Sequence, residues 1–113
     1  MSPFATTPEP PYHAVIFSSR RRGPDAGYSE MAARMEERAA TQPGFLGIES
    51  ARDAEGFGIT VSYWADEAAL IAWKEESQHL LAQRLGRTRW YEHYTLRVAV
   101  VQRAYEGPAG RDG

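Results

Sequence analysis

Two spacings of apolar residues alternate along this chain. His13-Ala14-Val15-Ile16-Phe17-Ser18 sets apolar side chains at neighbouring positions, which predicts a strand with both faces covered. From about Gly27 to Thr41 the spacing changes. Tyr28, Met31, Ala32, Met35 and Ala39 recur every three or four residues, the mark of a helix with one apolar stripe. Glu30, Arg34, Glu37 and Arg38 take its other side, with Glu30 and Arg34 in the favourable order for a helical ion pair. Pro43-Gly44 ends that segment.

Alternation then returns. Phe45 to Arg52 and Phe57 to Trp64 read as strands joined by the turn Asp53-Ala54-Glu55-Gly56. In the second of them Phe57, Ile59, Val61 and Tyr63 share one face, and Gly58, Thr60, Ser62 and Trp64 the other. Asp66 is suited to cap a helix running to about Leu85, with Gly86 as its stop. Leu70, Trp73, Ser77, Leu80 and Arg84 form its stripe, widened by Leu81 and Leu85. Tyr94 to Tyr105 is the fourth strand. Leu96, Val98 and Val100 fall on one face, and His93, Arg97, Ala99 and Val101 on the other. The order β-α-β-β-α-β predicts an α+β, ferredoxin-like fold with a four-stranded antiparallel sheet. Two helices cover one face of such a sheet. Strands one and four carry apolar residues on both faces, so the second face is expected to pack on another copy, as a homodimer.

Composition narrows the picture. A chain of 113 residues accommodates one domain. Residues 1–11 hold four prolines and read as a disordered lead-in; 12–106 form the domain; 107–113 read as a flexible tail. A formal charge of −2 argues against nucleic acid as a partner. Cysteine is absent, which excludes disulfides and thiolate chemistry. No apolar run approaches the roughly 20 residues of a membrane span, and the N-terminus lacks a signal-peptide core. A soluble cytoplasmic protein with no membrane contact is expected. Glu55-Gly56-Phe57-Gly58 partly matches an RNA-binding octet, but Glu55 replaces its basic residue, and Ile59 and Ser62 stand where stacking aromatics belong.

Candidate chemistry gathers around the aromatics. Trp64, Trp73, Trp90, Tyr63, Tyr91 and Tyr94 fall in or beside the second helix and its flanking strands. Trp73 serves either as core or as a wall stacking on a flat substrate. His79 lies about 240° round the helix from Trp73. It is either an edge residue or a general base for a phenolic proton. His93 and Arg97 share a strand face; they mark a dimer contact or, for Arg97, a group stabilising a phenolate or superoxide anion. Arg20-Arg21-Arg22 is a solvated turn or an anion-attracting rim. The three histidines have no metal-ligand spacing, so no metal is expected.

The runs Gln42-Pro43-Gly44-Phe45-Leu46-Gly47 and Ile59-Thr60-Val61-Ser62-Tyr63-Trp64, leading into a helix with Ala72-Trp73-Lys74, resemble the antibiotic biosynthesis monooxygenase family. The resemblance covers about Tyr12 to Tyr105. It implies pairing as a dimeric α+β barrel. It also implies a monooxygenase, cofactor-free, oxidising a small electron-rich aromatic such as a phenol or anthrone with O2. Under that implication His79 and Arg97 are the catalytic candidates, and Trp73, Trp64, Tyr94 and His93 the substrate-binding ones. Two alternatives stand beside it: a non-catalytic dimer holding a small planar ligand, and a haem binder or degrader. The family's enzymes use an Asn on the first strand, and this chain has none; Phe17, Ser18 and Ser19 lie nearest that place. Haem degraders carry an iron-binding helical His nearer the position of Gln83 than of His79.

Overall fold

The computed structural model describes residues 3–23, 27–83 and 91–107, with the side chains of 80–83 left aside. Six elements follow in the order β1 (Tyr12–Arg21), α1 (Tyr28–Ala40), β2 (Phe45–Arg52), β3 (Phe57–Trp64), α2 (Glu67–Gln83) and β4 (Tyr91–Val101). The strands form one antiparallel sheet, ordered β2-β3-β1-β4. This is the expected ferredoxin-like βαββαβ plan. Expected features at Pro24, Arg84, Leu85, Gly86 and Trp90, and most of the expected tail, lie outside the described residues.

Local chemistry explains the element ends. Asp66 Oδ1 accepts the N–H of Ala69 at 2.8 Å and so caps α2. Asp53 Oδ1 accepts the N–H groups of Glu55 and Phe57, which closes the β2–β3 turn. Gly44 has φ +82, and a Cβ there would meet the Cβ of Ala69 at 2.6 Å. Its carbonyl accepts the N–H of Ala65 at 2.8 Å, tying the start of β2 to the start of α2. Arg38 of α1 pairs with Glu76 of α2.

β4 runs Tyr91–Val101 rather than the expected 94–105. Its partner sets the limit. Val101 pairs with Tyr12, and Pro10 and Pro11 precede Tyr12, so a longer β4 has no ladder to join. At its other end the register shifts, with Arg20 opposite His93 and Arg21 opposite Tyr91. Glu92 is therefore an extra, bulged residue, and it turns Tyr91 onto the same face as Tyr94 and Leu96.

Both helices cover the face that carries Val15, Phe17, Ser62, Trp64 and Leu96. The core there has two parts. Val15, Ala39, Trp64, Leu70 and Trp73 form one, with Phe45 against Trp64. Met31 and Tyr91 form the other, with Phe17, Tyr28 and Tyr94 packed on them. Val98 and Val100 share the helix side but stay about half exposed at the sheet edge.

The opposite face is partly covered by the chain itself. The proline-rich lead-in, read from sequence as disordered, is placed across it as a strap. The N–H of Ala5 donates to Glu49 Oε2 at 3.0 Å, and Thr7 Oγ1 lies 2.9 Å from the hydroxyl of Tyr12. A Cβ at Gly47 would meet that of Ala5 at 2.7 Å, so the strap passes where β2 has no side chain. Tyr63 donates to the second oxygen of Glu49 at 2.7 Å and packs edge-on against Tyr12. Burial and this carboxylate raise the pKa of Tyr63 above the ordinary tyrosine value. Beyond the strap, Phe57 and Ile59 are about two-fifths exposed. No helix among the described residues is long and apolar enough to cross a membrane.

Candidate functional site

A cavity of about 300 Å³ lies between the helix pair and the sheet. Its size sits at the lower end of small-molecule pockets. Val15 and Phe17 of β1 and Tyr91, Tyr94 and Leu96 of β4 form part of its floor. Ile48, Ser50, Thr60 and Ser62 of β2 and β3 form the rest. α1 contributes Tyr28, Met31, Met35 and Glu36; α2 contributes Trp73, Lys74, Ser77 and Gln78. Flat rings and thioethers suit an apolar, planar guest. Glu36 and Lys74 are exposed, one on each helix, and place opposite charges on the rim.

The strand hydroxyls break the apolar lining along one side. Ser50 Oγ and Thr60 Oγ1 are 2.8 Å apart across β2 and β3. Ser62 Oγ accepts the indole N–H of Trp64 at 2.9 Å. The alternation in β3 had placed Gly58, Thr60, Ser62 and Trp64 on one face. Small polar groups beside a buried indole on a helix-facing surface were the legible sign of an unfilled space.

A polar cluster stands at the end of the cavity near the β2–β3 turn. Arg52 reaches across from the edge strand. One of its Nη atoms donates to the carbonyl of Gly56 and, at 3.3 Å, to that of Ser19. The other donates to Ser19 Oγ at 2.7 Å and to the Tyr28 hydroxyl at 3.1 Å. The guanidinium of Arg21 lies 4.0 Å from the centre of the Tyr28 ring, a cation–π contact. Tyr28 in turn meets Tyr91 edge-on, with ring centres 5.8 Å apart. Tyr91 is held protonated far above the ordinary tyrosine value. Burial is the main cause and its hydrogen bond with Tyr28 the next, while the positive charges of Arg52 and Arg21 act the other way.

The sequence-derived candidates separate. Trp73 and Tyr94 line the cavity. Trp64 does not. It is fully buried beneath Trp73, the two rings stacked 5.9 Å apart. His79 is exposed on α2 and outside the lining, as its angle from Trp73 implies. His93 and Arg97 are exposed on the sheet face away from the helices, since Arg97 pairs with Ile16 and His93 with Arg20. His93 Nε2 lies 3.3 Å from Thr95 Oγ1 on its own strand. Of the first-strand residues weighed in place of Asn, Phe17 lines the cavity and Ser19 is buried against Arg52. Ser18 alternates onto the far face.

The polar end was missed. In the sequence Tyr28 reads only as part of a helical stripe, Arg52 only as a strand end, and Tyr91 only as one of an aromatic cluster. The bulge that turns Tyr91 inward leaves no trace in strict alternation. Histidine is not among the described lining residues, which leaves the haem alternative without an axial imidazole there. No group of three or more metal-ligating side chains occurs among the described residues.

Comparison with known proteins gives this arrangement its relatives. The sequence model of the family described as antibiotic biosynthesis monooxygenase matches residues 11–85. The chain is 56% identical over 97 residues to the uncharacterized protein YqjZ of Bacillus subtilis, covering 86% of this chain and 85% of that protein. It is 33% identical over 93 residues to the jasmonate monooxygenase ABM of Pyricularia oryzae, covering 78% of this chain but only 42% of that larger protein. Among solved structures, SnoaB, a cofactor-independent oxygenase from Streptomyces nogalater, superposes with a TM-score of 0.65 at 17% identity, over 88% of this chain and 99% of SnoaB. A protein of unknown function from Nitrosomonas europaea gives a TM-score of 0.69 at 13% identity, over 86% and 95% of the two chains. At such identities the superpositions speak to the fold. The family match covers the two helices, the first three strands and most of the cavity wall, and the chain belongs to the antibiotic biosynthesis monooxygenase family.

Proposed function

We propose that this protein is an oxygenase that oxidises a small, flat, electron-rich molecule with O2 and needs no cofactor. The observation that carries the reading is the cavity: about 300 Å³, walled by Trp73, Phe17, Tyr94 and two methionines, with hydroxyls along one side. The family membership supports it, as do the names of two relatives, a jasmonate monooxygenase and a cofactor-independent oxygenase.

The chemistry balances without an outside reductant. A substrate of the anthrone type loses a proton to give an enolate. The enolate passes one electron to O2, and the radical and superoxide combine as a hydroperoxide. Loss of water leaves a ketone where a methylene stood, so one O2 yields one ketone and one water. The protein's tasks are to hold the ring plane, favour the anion and keep bulk water from the intermediate. Trp73 and the Tyr94 ring supply the planar slot. Lys74 and Glu36 are exposed on the rim, where the cavity meets solvent.

Oxygen uptake with dithranol, a hydroxylated anthrone, tests the reading. Uptake above the spontaneous rate, matched one to one by quinone absorbance, is expected. Uptake at the buffer rate overturns it and leaves the non-catalytic planar-ligand binder. A second copy of the chain is proposed on the far sheet face, where the strap leaves Phe57 and Ile59 bare. Light scattering at micromolar concentration is expected to give twice the chain mass, and Ile59→Arg to give the monomer.

A further inference from the structure

We propose that the polar end of the cavity selects ligands that bind as anions, with Arg52 and Arg21 supplying the positive field through Tyr28 and Tyr91. The ligand class is a flat apolar acid: one ring system bearing a single carboxylate, phenolate or enolate oxygen at that end. This deepens the oxygenase reading and rests on it for the identity of the site, but it is a claim about binding and is tested without turnover.

Four observations converge. Arg52 is fixed by four acceptors, and every one described is a neutral oxygen: the carbonyls of Ser19 and Gly56, Ser19 Oγ and the Tyr28 hydroxyl. None of these cancels its charge. The Arg21 guanidinium lies over the same tyrosine ring, 4.0 Å from its centre. Neither arginine lines the cavity, whereas Tyr28 and Tyr91, which they flank, both do. Finally, the positive charges of both arginines act at the Tyr91 hydroxyl in the direction of negative charge, although burial, the Tyr28 hydrogen bond and the Tyr28 charge outweigh them for Tyr91 itself.

A guest oxygen against these hydroxyls meets an oriented phenolic donor backed by guanidinium charge in a low-dielectric setting. This is the arrangement that stabilises an oxyanion. The other ionisable groups on the cavity wall are Tyr94 on β4 and, on the rim, Glu36 on α1 and Lys74 on α2, where the two opposite charges offset one another. No histidine is among the described lining residues, so a guest acid that ionises there passes its proton to water.

Calorimetric titration with cinnamate and its neutral isostere cinnamamide reads the selection directly. Cinnamate is expected to bind about tenfold tighter or more, one decade in Kd. Arg52→Gln is expected to erase most of that ratio while leaving cinnamamide affinity unchanged, and Arg52→Lys to keep part of it. A purely structural role for Arg52 lowers both affinities together and overturns the proposal, as does equal binding of the two probes to the native protein. If Arg52→Gln does not fold, Arg21→Gln carries the same expectation. Umbelliferone, whose anion absorbs at longer wavelength, separates the acids: ionisation on binding at neutral pH marks a phenolate site. Unionised umbelliferone beside tight cinnamate marks a carboxylate site. Binding of none of the probes at millimolar concentration removes the cavity as a ligand site, and with it the oxygenase reading. Dithranol turnover without an anion preference overturns the anion proposal alone.

Discussion

The two faces of this sheet solve the same problem in different ways. On the helix side the apolar side chains are roofed by α1 and α2, and the roof is incomplete, leaving a cavity between a tryptophan cluster and a tyrosine cluster. On the far side there is no helix among the described residues. A strap of irregular chain meets Glu49, Gly47 and Tyr12, and Phe57 and Ile59 stay partly bare. The proposed chemistry falls on the helix side, because it combines enclosure with polar groups held from several elements. The proposed second copy falls on the far side, because a flat, half-covered surface suits another flat surface. His93 and Arg97, which looked like chemistry in the sequence, belong to the far side. Their side chains point away from the helices, so neither reaches the cavity.

The sharpest way to break this contrast is at Trp64. Its ring is fully buried, stacked on Trp73, edge-on to Phe45, and its N–H is bonded to Ser62. Trp64→Ala removes the floor beneath Trp73 and leaves Ser62 without its donor. A loss of about 3–5 kcal/mol in chemical denaturation is expected. Trp73→Ala enlarges a space that already exists, so its cost is expected to fall below that of Trp64→Ala, while its effect on probe binding is larger. Equal stability losses with unchanged binding would make Trp73 ordinary core.

The far face answers to Glu49. Its two oxygens hold the strap through the N–H of Ala5 and hold Tyr63 through its hydroxyl. Glu49→Ala removes both bonds, and a loss of about 1–3 kcal/mol is expected. Release of the strap is read by faster amide exchange at Ala5. Cinnamate affinity is expected to stay unchanged, because the cavity lies across the sheet. A variant that loses affinity along with stability would mean the two faces are coupled.

Much of the architecture was readable because it rests on local rules. The period-two and period-3.6 stretches marked six elements in the right order. Asp66 and the Asp53–Gly56 turn were visible as single-residue chemistry. The stripe Tyr28, Met31, Ala32 and Met35 proved to be the α1 wall of the cavity. What escaped depends on register and on contacts distant in sequence. One bulged residue, Glu92, decides which way Tyr91 points. Arg52 meets Ser19 from 33 residues away and Tyr28 from 24. The prolines of the lead-in do argue against helix and sheet. They say nothing against docking, which hangs on Ala5 finding Glu49 and a bare Gly47.

The smallest expected effect is at His79, and it is informative because the chemistry once pointed there. A histidine six residues past Trp73 is, by residue type, an attractive base for a phenolic proton. A general base must come within hydrogen-bonding reach of the proton it removes. Six residues at 100° each carry His79 well off the Trp73 stripe, and the imidazole sits exposed on the outer side of α2, beyond the cavity wall formed by Trp73, Ser77 and Gln78. Loss of a working base costs roughly 10²–10⁴ in rate. His79→Ala is instead expected to leave stability within about 0.5 kcal/mol and the dithranol rate and its pH profile unchanged. Arg52→Gln in the same assay is expected to slow turnover, because the enolate loses the field that holds it. If the rate collapses in His79→Ala and survives in Arg52→Gln, α2 must turn in solution to bring the imidazole inward, and the tyrosine end of the cavity is then not where the substrate anion sits.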